Sequence, residues 1–339
     1  MTKQRKKDHL EICLQERVET GSSGFDSYHF THQALPEINF DEINLSCQFF
    51  KKKLNYPILI SSMTGGTAKA KTINLNLAKT AQKLGIAMAV GSQRIAIEKP
   101  LLAPTFQIRN VAPDIVLFSN LGAIQLNYGF NIKECRQAIR MIKADGLIFH
   151  LNPLQEVIQP EGNKNFSHLL KKISAISKQL KSPIIVKEVG CGISQKMARS
   201  LLNAGIKTID VGGRGGTSWA LIESLRYKKR NKLGKTFLEW GIPTTEAIIE
   251  CSKIKELTII GSGGIRTGID IAKALILGAD IIGIALPLLK PATKSAKAVE
   301  EKIESLIQEL KITMFCLGVK NIKELKGLGL SAFRQTPTF

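Results

Sequence analysis

Eight short apolar segments constrain the fold of this chain more than any other feature. Each segment is a continuous apolar run rather than an alternation of apolar and polar residues, and longer amphipathic segments separate them. Continuous runs of this length are typical of strands that are buried on both faces of a parallel sheet. The runs cover residues 57–62, 86–90, 115–119, 147–150, 184–187, 208–211, 257–260 and 281–285.

The segments between the apolar runs show helical periodicity, with apolar residues recurring on one face. Gly205 and Gly278 directly follow two of these segments, as is common for glycines at helix C-termini. We predict helices over residues 8–17, 74–84, 169–180, 198–204, 244–252, 269–277 and 295–317.

The alternation of strands and helices predicts a (β/α)8 TIM barrel over residues 56–339. Residues 1–55 precede it as an N-terminal extension, which we expect to lie over the active site. An open, doubly wound sheet is the alternative, but no G-x-G-x-x-G motif follows the first run. The longest interval lies between the sixth and seventh runs, and we interpret it as an insertion that forms a lid or a subunit contact.

The net charge of +20 makes nucleic-acid binding an alternative to be weighed. The densest basic run spans residues 226–235, without a helix-turn-helix, zinc-finger or aromatic RNA-binding pattern. Charge alone provides only salt-sensitive, non-specific affinity, so we expect no nucleic-acid partner. A positive field also attracts a small polyanion such as a diphosphate.

The six cysteines are scattered without C-x-x-C spacing, which argues against a disulfide framework and a structural zinc site. No apolar run is long enough to span a membrane, and the basic N-terminus lacks an apolar signal core. We therefore expect a cytoplasmic protein with reduced thiols and no membrane partner. The sequence does not indicate whether Cys191 does more than pack.

Barrel enzymes place their chemistry in the loops that follow the strands, so these loops are the candidate site. Glycine-rich loops follow the sixth and seventh runs, at residues 212–217 and 261–268, and a helix follows the eighth. Backbone N–H groups of such loops form a phosphate cup. A phosphate there, with a flat ring across the barrel, fits FMN. Lys187 would then face the N1/C2 edge of the ring and favour anionic reduced flavin; an ion pair with Glu188 or a neighbouring strand is the alternative.

The fourth run leads directly into a polar cluster of His150, Asn152, Gln155 and Glu156. We expect Pro153, and then residues 160–162, to prevent regular structure here. Taken alone, the cluster is a candidate acid–base group. Glu156 is also a candidate ligand for magnesium, which prefers oxygen ligands, although a single acid is weak evidence for a metal.

In addition to these features, the sequence resembles the type 2 isopentenyl-diphosphate isomerases, the flavin-dependent form. The matching motifs occur in order over almost the whole chain. They are RKKDHL (5–10), SMTGG (62–66), GSQR (91–94), NLGA (120–123), HLN and QE within 150–156, PEG (160–162), VKEVG (186–190), GGRGGT (212–217) and SGGIRTG (262–268).

This resemblance implies interconversion of isopentenyl and dimethylallyl diphosphate with FMN, Mg²⁺ and NADPH as reductant, in a homo-tetramer or homo-octamer. It implies that Glu156 binds the metal and that Gln155 lines the substrate site. The implied substrate-binding residues are Arg5, Lys6, His9, Ser92, Gln93, Arg94, Asn152 and Gln155. The implied FMN-binding residues are Ser62, Met63, Thr64, Ser92, Asn120, Lys187, Thr217, Gly263, Gly264, Arg266, Ala285 and Leu286.

Taken alone, Arg5 and Lys6 would be a basic tail. The resemblance implies that they fold over the diphosphate. We expect flavin N5 to carry the proton, because the strand-end loops offer no well-placed acid, and Gln155 to orient the substrate. A flavin-dependent hydroxy-acid oxidase would need a His-x-x-Arg pair after the seventh run, where only Arg266 stands. An inosine-monophosphate-dehydrogenase-like enzyme would need a cysteine within residues 212–217, which contain none.

Overall fold

The computed structural model describes residues 2–227 and 231–334. Its strands are β1 (Cys47–Phe49), β2 (Lys52–Leu54), β3 (Ile58–Ile60), β4 (Ala87–Ala89), β5 (Leu117–Gly122), β6 (Gly146–Leu151), β7 (Ile184–Glu188), β8 (Thr208–Asp210), β9 (Thr258–Ser262) and β10 (Ile281–Ile284). Its α-helices are α1 (Thr2–Gln15), α2 (Ala68–Leu84), α3 (Arg94–Glu98), α4 (Ile132–Ile142), α5 (Pro153–Ile158), α6 (Leu169–Gln179), α7 (Gln195–Asn203), α8 (Trp219–Arg226), α9 (Asn231–Thr236), α10 (Thr244–Ser252), α11 (Gly268–Ile276), α12 (Leu286–Lys294), α13 (Ala296–Cys316) and α14 (Ile322–Gly327).

Strands β3 to β10 form a closed barrel in chain order, in which β10 pairs with both β9 and β3. All of these pairings are parallel. Every predicted apolar run overlaps one barrel strand, so the predicted (β/α)8 TIM barrel is confirmed and the open sheet is excluded. The carboxyl ends of all eight strands consequently face the same side.

The barrel interior is packed by side chains at the amino ends of the strands. Phe118 and Ile148 belong to a buried cluster there, and the β1–β2 hairpin closes this end with Phe49 and Phe50. The Phe50 and Phe118 rings meet edge to face, with centroids 5.1 Å apart. This end of the barrel interior is therefore filled by side chains.

Capping residues set where the helices begin. Helix α2 begins at Ala68, before the predicted start at residue 74, because the Thr67 side chain accepts a hydrogen bond from Ala70 N. The expectation that Pro153 prevents regular structure was wrong. Pro153 is the first residue of the short helix α5, a position where its missing N–H costs nothing.

The N-terminal extension follows two different courses. Helix α1 packs against α8 and α12 at the carboxyl end of the barrel. Val18 and Thr20 then join the loop after β8, through bonds from Ser218 N to Val18 O at 2.8 Å and from Thr20 N to Gly216 O at 3.3 Å. The later part of the extension leads to the β1–β2 hairpin, where Lys52 pairs with Asp145 at the opposite end. Only the first part of residues 1–55 therefore borders the candidate site.

The interval between β8 and α10 contains α8 and α9. Residues 228–230 of the basic run 226–235 lie outside the described residues. None of the helices within residues 2–227 and 231–334 combines the length and the apolar character that a membrane crossing requires.

Candidate active site

A cavity of about 260 Å³ opens at the carboxyl ends of the barrel strands. Loops after the strands form its walls, and helix α1 contributes residues from above. The cavity therefore lies where the sequence predicted the site. The predicted site residues that line it are Arg5, Lys6, His9, Ser62, Met63, Thr64, Ser92, Arg94, Asn120, Asn152, Gln155, Glu156, Lys187, Thr217, Gly263, Gly264, Arg266, Ala285 and Leu286.

Gln93 is the predicted substrate-binding residue that does not line the cavity. Its side chain is completely buried, and its Nε2 donates to Ala138 O at 2.9 Å. Its Oε1 accepts from Asn120 N at 3.0 Å. Both ends of the amide are therefore bonded to backbone, so Gln93 holds the β5 end in place while Ser92 and Arg94 reach the cavity.

Asn120 connects the floor of the cavity to His150. Asn120 Nδ2 donates to Ser62 Oγ at 2.9 Å, so its Oδ1 is the acceptor for His150 Nδ1, 2.8 Å away. Burial, followed by the charges of Lys187 and Lys6, lowers the pKa of His150 to about 3. His150 is thus neutral at physiological pH, with Nε2 left as an acceptor, which suits a supporting role better than proton transfer.

Helix α1 brings cations to the cavity. Lys6 Nζ donates to Ser92 O at 2.7 Å and lies 5.2 Å from the centre of the Phe106 ring. Burial, reinforced by the neighbouring Arg5 charge, lowers the pKa of Lys6 to about 7. Arg94 lies in the same wall and bonds to Asn163 Oδ1 at 3.0 Å. Arg5 and Lys6 therefore line the cavity and are not part of a free tail.

Glu156 is buried, and hydrogen-bond donors surround its carboxylate. Asn152 Nδ2 donates to Oε1 at 3.0 Å, while Gln159 Nε2 at 2.7 Å and Asn163 N at 2.5 Å donate to Oε2. The buried amide oxygens Asn152 Oδ1 and Gln159 Oε1 have no hydrogen-bond partner. Unpaired buried oxygens next to a carboxylate are the donor set that Mg²⁺ prefers. Residues 2–227 and 231–334 contain no cluster of three or more His, Cys, Asp or Glu that fits a metal.

The sequence analysis missed Glu223, an acid at the centre of this region. Its carboxylate is completely buried. It meets three donors: His9 Nε2 at 2.8 Å, Gln155 Nε2 at 3.0 Å and Arg226 at 2.8 Å. Burial raises the pKa of Glu223, but the bond from His9 and the other donors outweigh it, and the pKa is lowered.

Glu223 was missed because it comes from helix α8 and not from the end of a strand. The expectation that no acid is well placed here considered only strand-end loops. One sequence signal was available, since Glu223 falls three residues after Ala220 on the face that α8 buries. An acid on an apolar helix face needs a partner.

The loops after β8 and β9, where we expect a phosphate cup, approach each other closely through their backbones. Gly263 and Gly264 have φ of 111° and 68°, which other residues rarely adopt. A Cβ on Gly216 would lie 2.6 Å from Gly264 N, so the two loops can approach only as glycines. Arg266 borders the cup and is paired with Glu19 of the extension.

The fold and the site define a class of protein. The family described as FMN-dependent dehydrogenase matches residues 145–331. A solved structure of flavocytochrome b2 with sulfite bound has a TM-score of 0.70 at 17% identity, covering 98% of this chain and 85% of that one. Lactate oxidase from Pediococcus acidilactici has a TM-score of 0.64 at 18% identity, covering 94% and 85%. At these identities the likeness shows the fold alone, and the family match places the chain among the FMN-dependent barrels.

Curated relatives narrow the class to one family. The isopentenyl-diphosphate delta-isomerase of Nostoc sp. is 50% identical over 333 residues, covering 97% of this chain and 95% of the relative. That of Rickettsia africae is 50% identical over 326 residues, covering 95% of each. The chain belongs to the isopentenyl-diphosphate delta-isomerase family, and the resemblance seen in the sequence is confirmed.

Proposed function

We propose that this protein is an FMN-dependent enzyme that isomerises isopentenyl diphosphate to dimethylallyl diphosphate, and that Mg²⁺ and NADPH support the reaction. One observation carries the proposal. A single cavity joins a cation cluster, a buried carboxylate with free amide oxygens, and a glycine cradle. These three parts match a diphosphate, its metal ion and a phosphate-bearing flat cofactor.

The cations of α1 and α3 would bind the diphosphate. Arg5, Lys6 and Arg94 all line the cavity, and His9 lies beside them. Lys6, whose pKa of about 7 reflects its burial, regains its full charge when an anion binds next to it. Binding energy from this remote end of the substrate would align the reacting carbons over the barrel.

Glu156 would hold Mg²⁺ through its carboxylate. The unpaired Asn152 Oδ1 and Gln159 Oε1 lie on side chains that donate to the same carboxylate, which keeps further oxygen donors close to it. Magnesium usually takes one or two carboxylates together with phosphate oxygens, which fits this single acid. Glu156 would therefore be the residue that holds the metal, and the bound ion would supply positive charge for the diphosphate.

FMN fits the glycine cradle and the hydroxyl and amide groups around it. Gly263, Gly264 and Thr217 would hold the phosphate end, and Ala285 and Leu286 lie at the start of α12. The other expected FMN contacts are Ser62, Met63, Thr64, Ser92, Asn120, Lys187 and Arg266. When bound, the reduced flavin would supply an N5 atom able to give and take a proton, while NADPH would keep it reduced.

Gln155 and Glu223 would control protons on the chain's own side of the site. Gln155 Nε2 donates to Glu223 and its Oε1 accepts from Asn152 Nδ2 at 3.0 Å, so the amide is fixed at both ends. Glu223 also bonds to His9, which lines the cavity. The Glu223 carboxylate is therefore connected to the cavity through His9 and Gln155, which both line it.

Three further proposals concern the protein's setting. We expect a homo-tetramer or homo-octamer, as the resemblance in the sequence implies. We expect a cytoplasmic location, supported by six free cysteines. We expect no nucleic-acid binding, because the positive charge has a use in attracting a diphosphate. Light scattering and a salt-dependent DNA titration test the first and the third.

The purified protein tests the proposal directly. After incubation with FMN and removal of free flavin, its absorption spectrum should show bound flavin. Anaerobic assays with isopentenyl diphosphate, Mg²⁺ and NADPH should then yield dimethylallyl diphosphate, whereas 2-hydroxy acids should not reduce the flavin. Absence of bound flavin, or flavin reduction by hydroxy acids without isomerisation, refutes the proposal.

Gln155→Ala tests the catalytic group. It removes the amide that contacts Glu223, so we expect kcat to fall about 10²-fold or more while FMN stays bound. Gln179→Ala is a matched control, since the Gln179 side chain is exposed on α6 and its Nε2 donates to Ala175 O of the same helix. Full turnover by Gln155→Ala would show that Gln155 does not act in the site.

A further inference from the structure

A completely buried aspartate lies behind the cavity wall, and the mechanism above does not use it. Asp210 ends strand β8 with no exposed surface. Its Oδ1 accepts from Ser262 Oγ, a very short contact, and from Gly212 N at 3.2 Å. Its Oδ2 is buried and has no hydrogen-bond partner. A buried carboxylate without enough donors needs a positive charge nearby.

Lys187 supplies that charge. Parallel pairing of β7 and β8 sets Lys187 beside Asp210 in register, and Lys187 Nζ lies 3.5 Å from Asp210 Oδ2. Lys187 also donates to Glu188 O at 2.7 Å, and it lines the cavity that Asp210 does not reach. Asp210 is thus buried inside the barrel wall, while its partner Lys187 lines the cavity.

The other groups around Lys187 cannot replace Asp210. The carboxylate of Glu188 points to the opposite face, where its Oε2 accepts from the backbone N–H groups of Val189, Gly190 and Cys191. On the other neighbouring strand, β6, His150 is in register with Lys187 and is neutral. Arg5 and Lys6 face the cavity with positive charge. Within residues 2–227 and 231–334, Asp210 is the only carboxylate paired with Lys187.

We propose that Asp210 is a positioning residue that keeps the Lys187 ammonium charged and directed into the cavity. Ser262 and Gly212 hold one carboxylate oxygen, so the other stays aimed at Lys187. A buried ammonium without a counterion loses its proton readily, whereas a paired one retains it. Asp210 thus acts on the site only through Lys187.

The functional consequence concerns reduced flavin and rests on the proposed FMN site. A positive charge beside the ring favours loss of the N1 proton from reduced flavin. Removing Asp210 should therefore act like removing the Lys187 charge itself. The reduced cofactor would keep its N1 proton to a higher pH.

A double-mutant cycle on the FMN-loaded protein tests this consequence. Wild type, Asp210→Asn, Lys187→Met, the double variant and Asp280→Asn are reduced anaerobically with dithionite, and their absorption spectra are followed against pH. We expect Asp210→Asn and Lys187→Met each to raise the N1 midpoint by about one pH unit or more, a tenfold change in that proton equilibrium. The double variant should match Lys187→Met.

Asp280→Asn is the matched control, because Asp280 precedes β10 at the other end of the barrel and bonds to Lys326 and Ile259 N. It should leave the midpoint unchanged. An unchanged or lowered midpoint in Asp210→Asn refutes the inference, since Lys187 would then hold its charge without Asp210. A merely structural role of Asp210 would weaken FMN binding without moving the midpoint.

A second measurement needs no cofactor. In urea unfolding of the flavin-free protein, each single variant leaves one buried group without its partner and should unfold at lower urea, while the double variant should recover part of the loss. If the stability losses of the two single variants add up in the double variant, Asp210 and Lys187 do not stabilise each other and the inference is refuted. If Asp210→Asn does not fold, a folded double variant supports the inference and an unfolded one refutes it. If wild type binds no FMN, the proposed function fails and this cycle alone decides the pairing.

Discussion

The Arg226 guanidinium forms ion pairs with three acids from three parts of the chain, so its removal should lower the free energy of unfolding. Its side chain is 7% exposed and pairs with Glu223 at 2.8 Å, with Asp8 of α1 at 3.4 Å and with Glu161 after α5. Arg226→Met keeps most of the apolar stem and removes the guanidinium. We expect the free energy of unfolding to fall and α1 to lose its Asp8–Arg226 contact with α8.

The magnitude follows from the exposure of the three partners. Glu223 is completely buried, and breaking a buried pair costs about 3–5 kcal/mol. Asp8 and Glu161 are 28% and 22% exposed, so their share is about 0–1 kcal/mol each. His9 and Gln155 still donate to Glu223, so we take the lower end, about 3 kcal/mol. With 339 residues and about 2.1 cal/mol/K each, this lowers Tm by about 4 °C.

Differential scanning calorimetry of the flavin-free protein measures this loss without requiring enzymatic activity. Lys83→Met is the control, because Lys83 is 65% exposed and pairs with Glu300 on the surface. It should change Tm by less than about 1 °C. Arg226→Lys keeps the positive charge but loses the forked guanidinium group. Its Tm should lie between those of Arg226→Met and Lys83→Met. If Arg226→Met unfolds within 1 °C of wild type, the buried network does not stabilise the fold as argued.

Two further predictions concern the ligands. With the pKa of Lys6 lowered to about 7, its charged form prevails below that pH, so kcat/KM for the diphosphate substrate should fall as pH rises through about 7. Lys6→Met should abolish this fall of kcat/KM with pH. If the fall persists in the variant, it arises from the titration of another group. Glu156→Gln should raise the Mg²⁺ concentration for half-maximal activity about 10–100-fold. Glu98→Gln, at a partly exposed acid paired with Arg94, is its control and should change it little; equal metal requirements in both variants would exclude Glu156 as the ligand.

Much of the fold was predictable because buried parallel strands leave a direct trace in the sequence. Each continuous apolar run became one barrel strand, and the glycines after β8 and β9 stand where loops must touch. The helix at Pro153 was missed, because a proline read as a breaker also fits the first turn. Gln93 shows a similar limit, since a polar residue beside a site can bond to backbone instead of a ligand.

The sequence by itself determined the order of strands, the end of the barrel that carries the chemistry, and the family to which the chain belongs. These properties depend on local periodicity and on short motifs, within each of which the residues are close together in the chain. Only the tertiary structure brought Glu223 to Gln155 and His9, and Asp210 to Lys187. The contacts of Glu223 join separate elements through side chains alone, and the Asp210–Lys187 contact also depends on the register between β7 and β8. Their energies depend on burial and on angles between elements, which no local pattern of residues records.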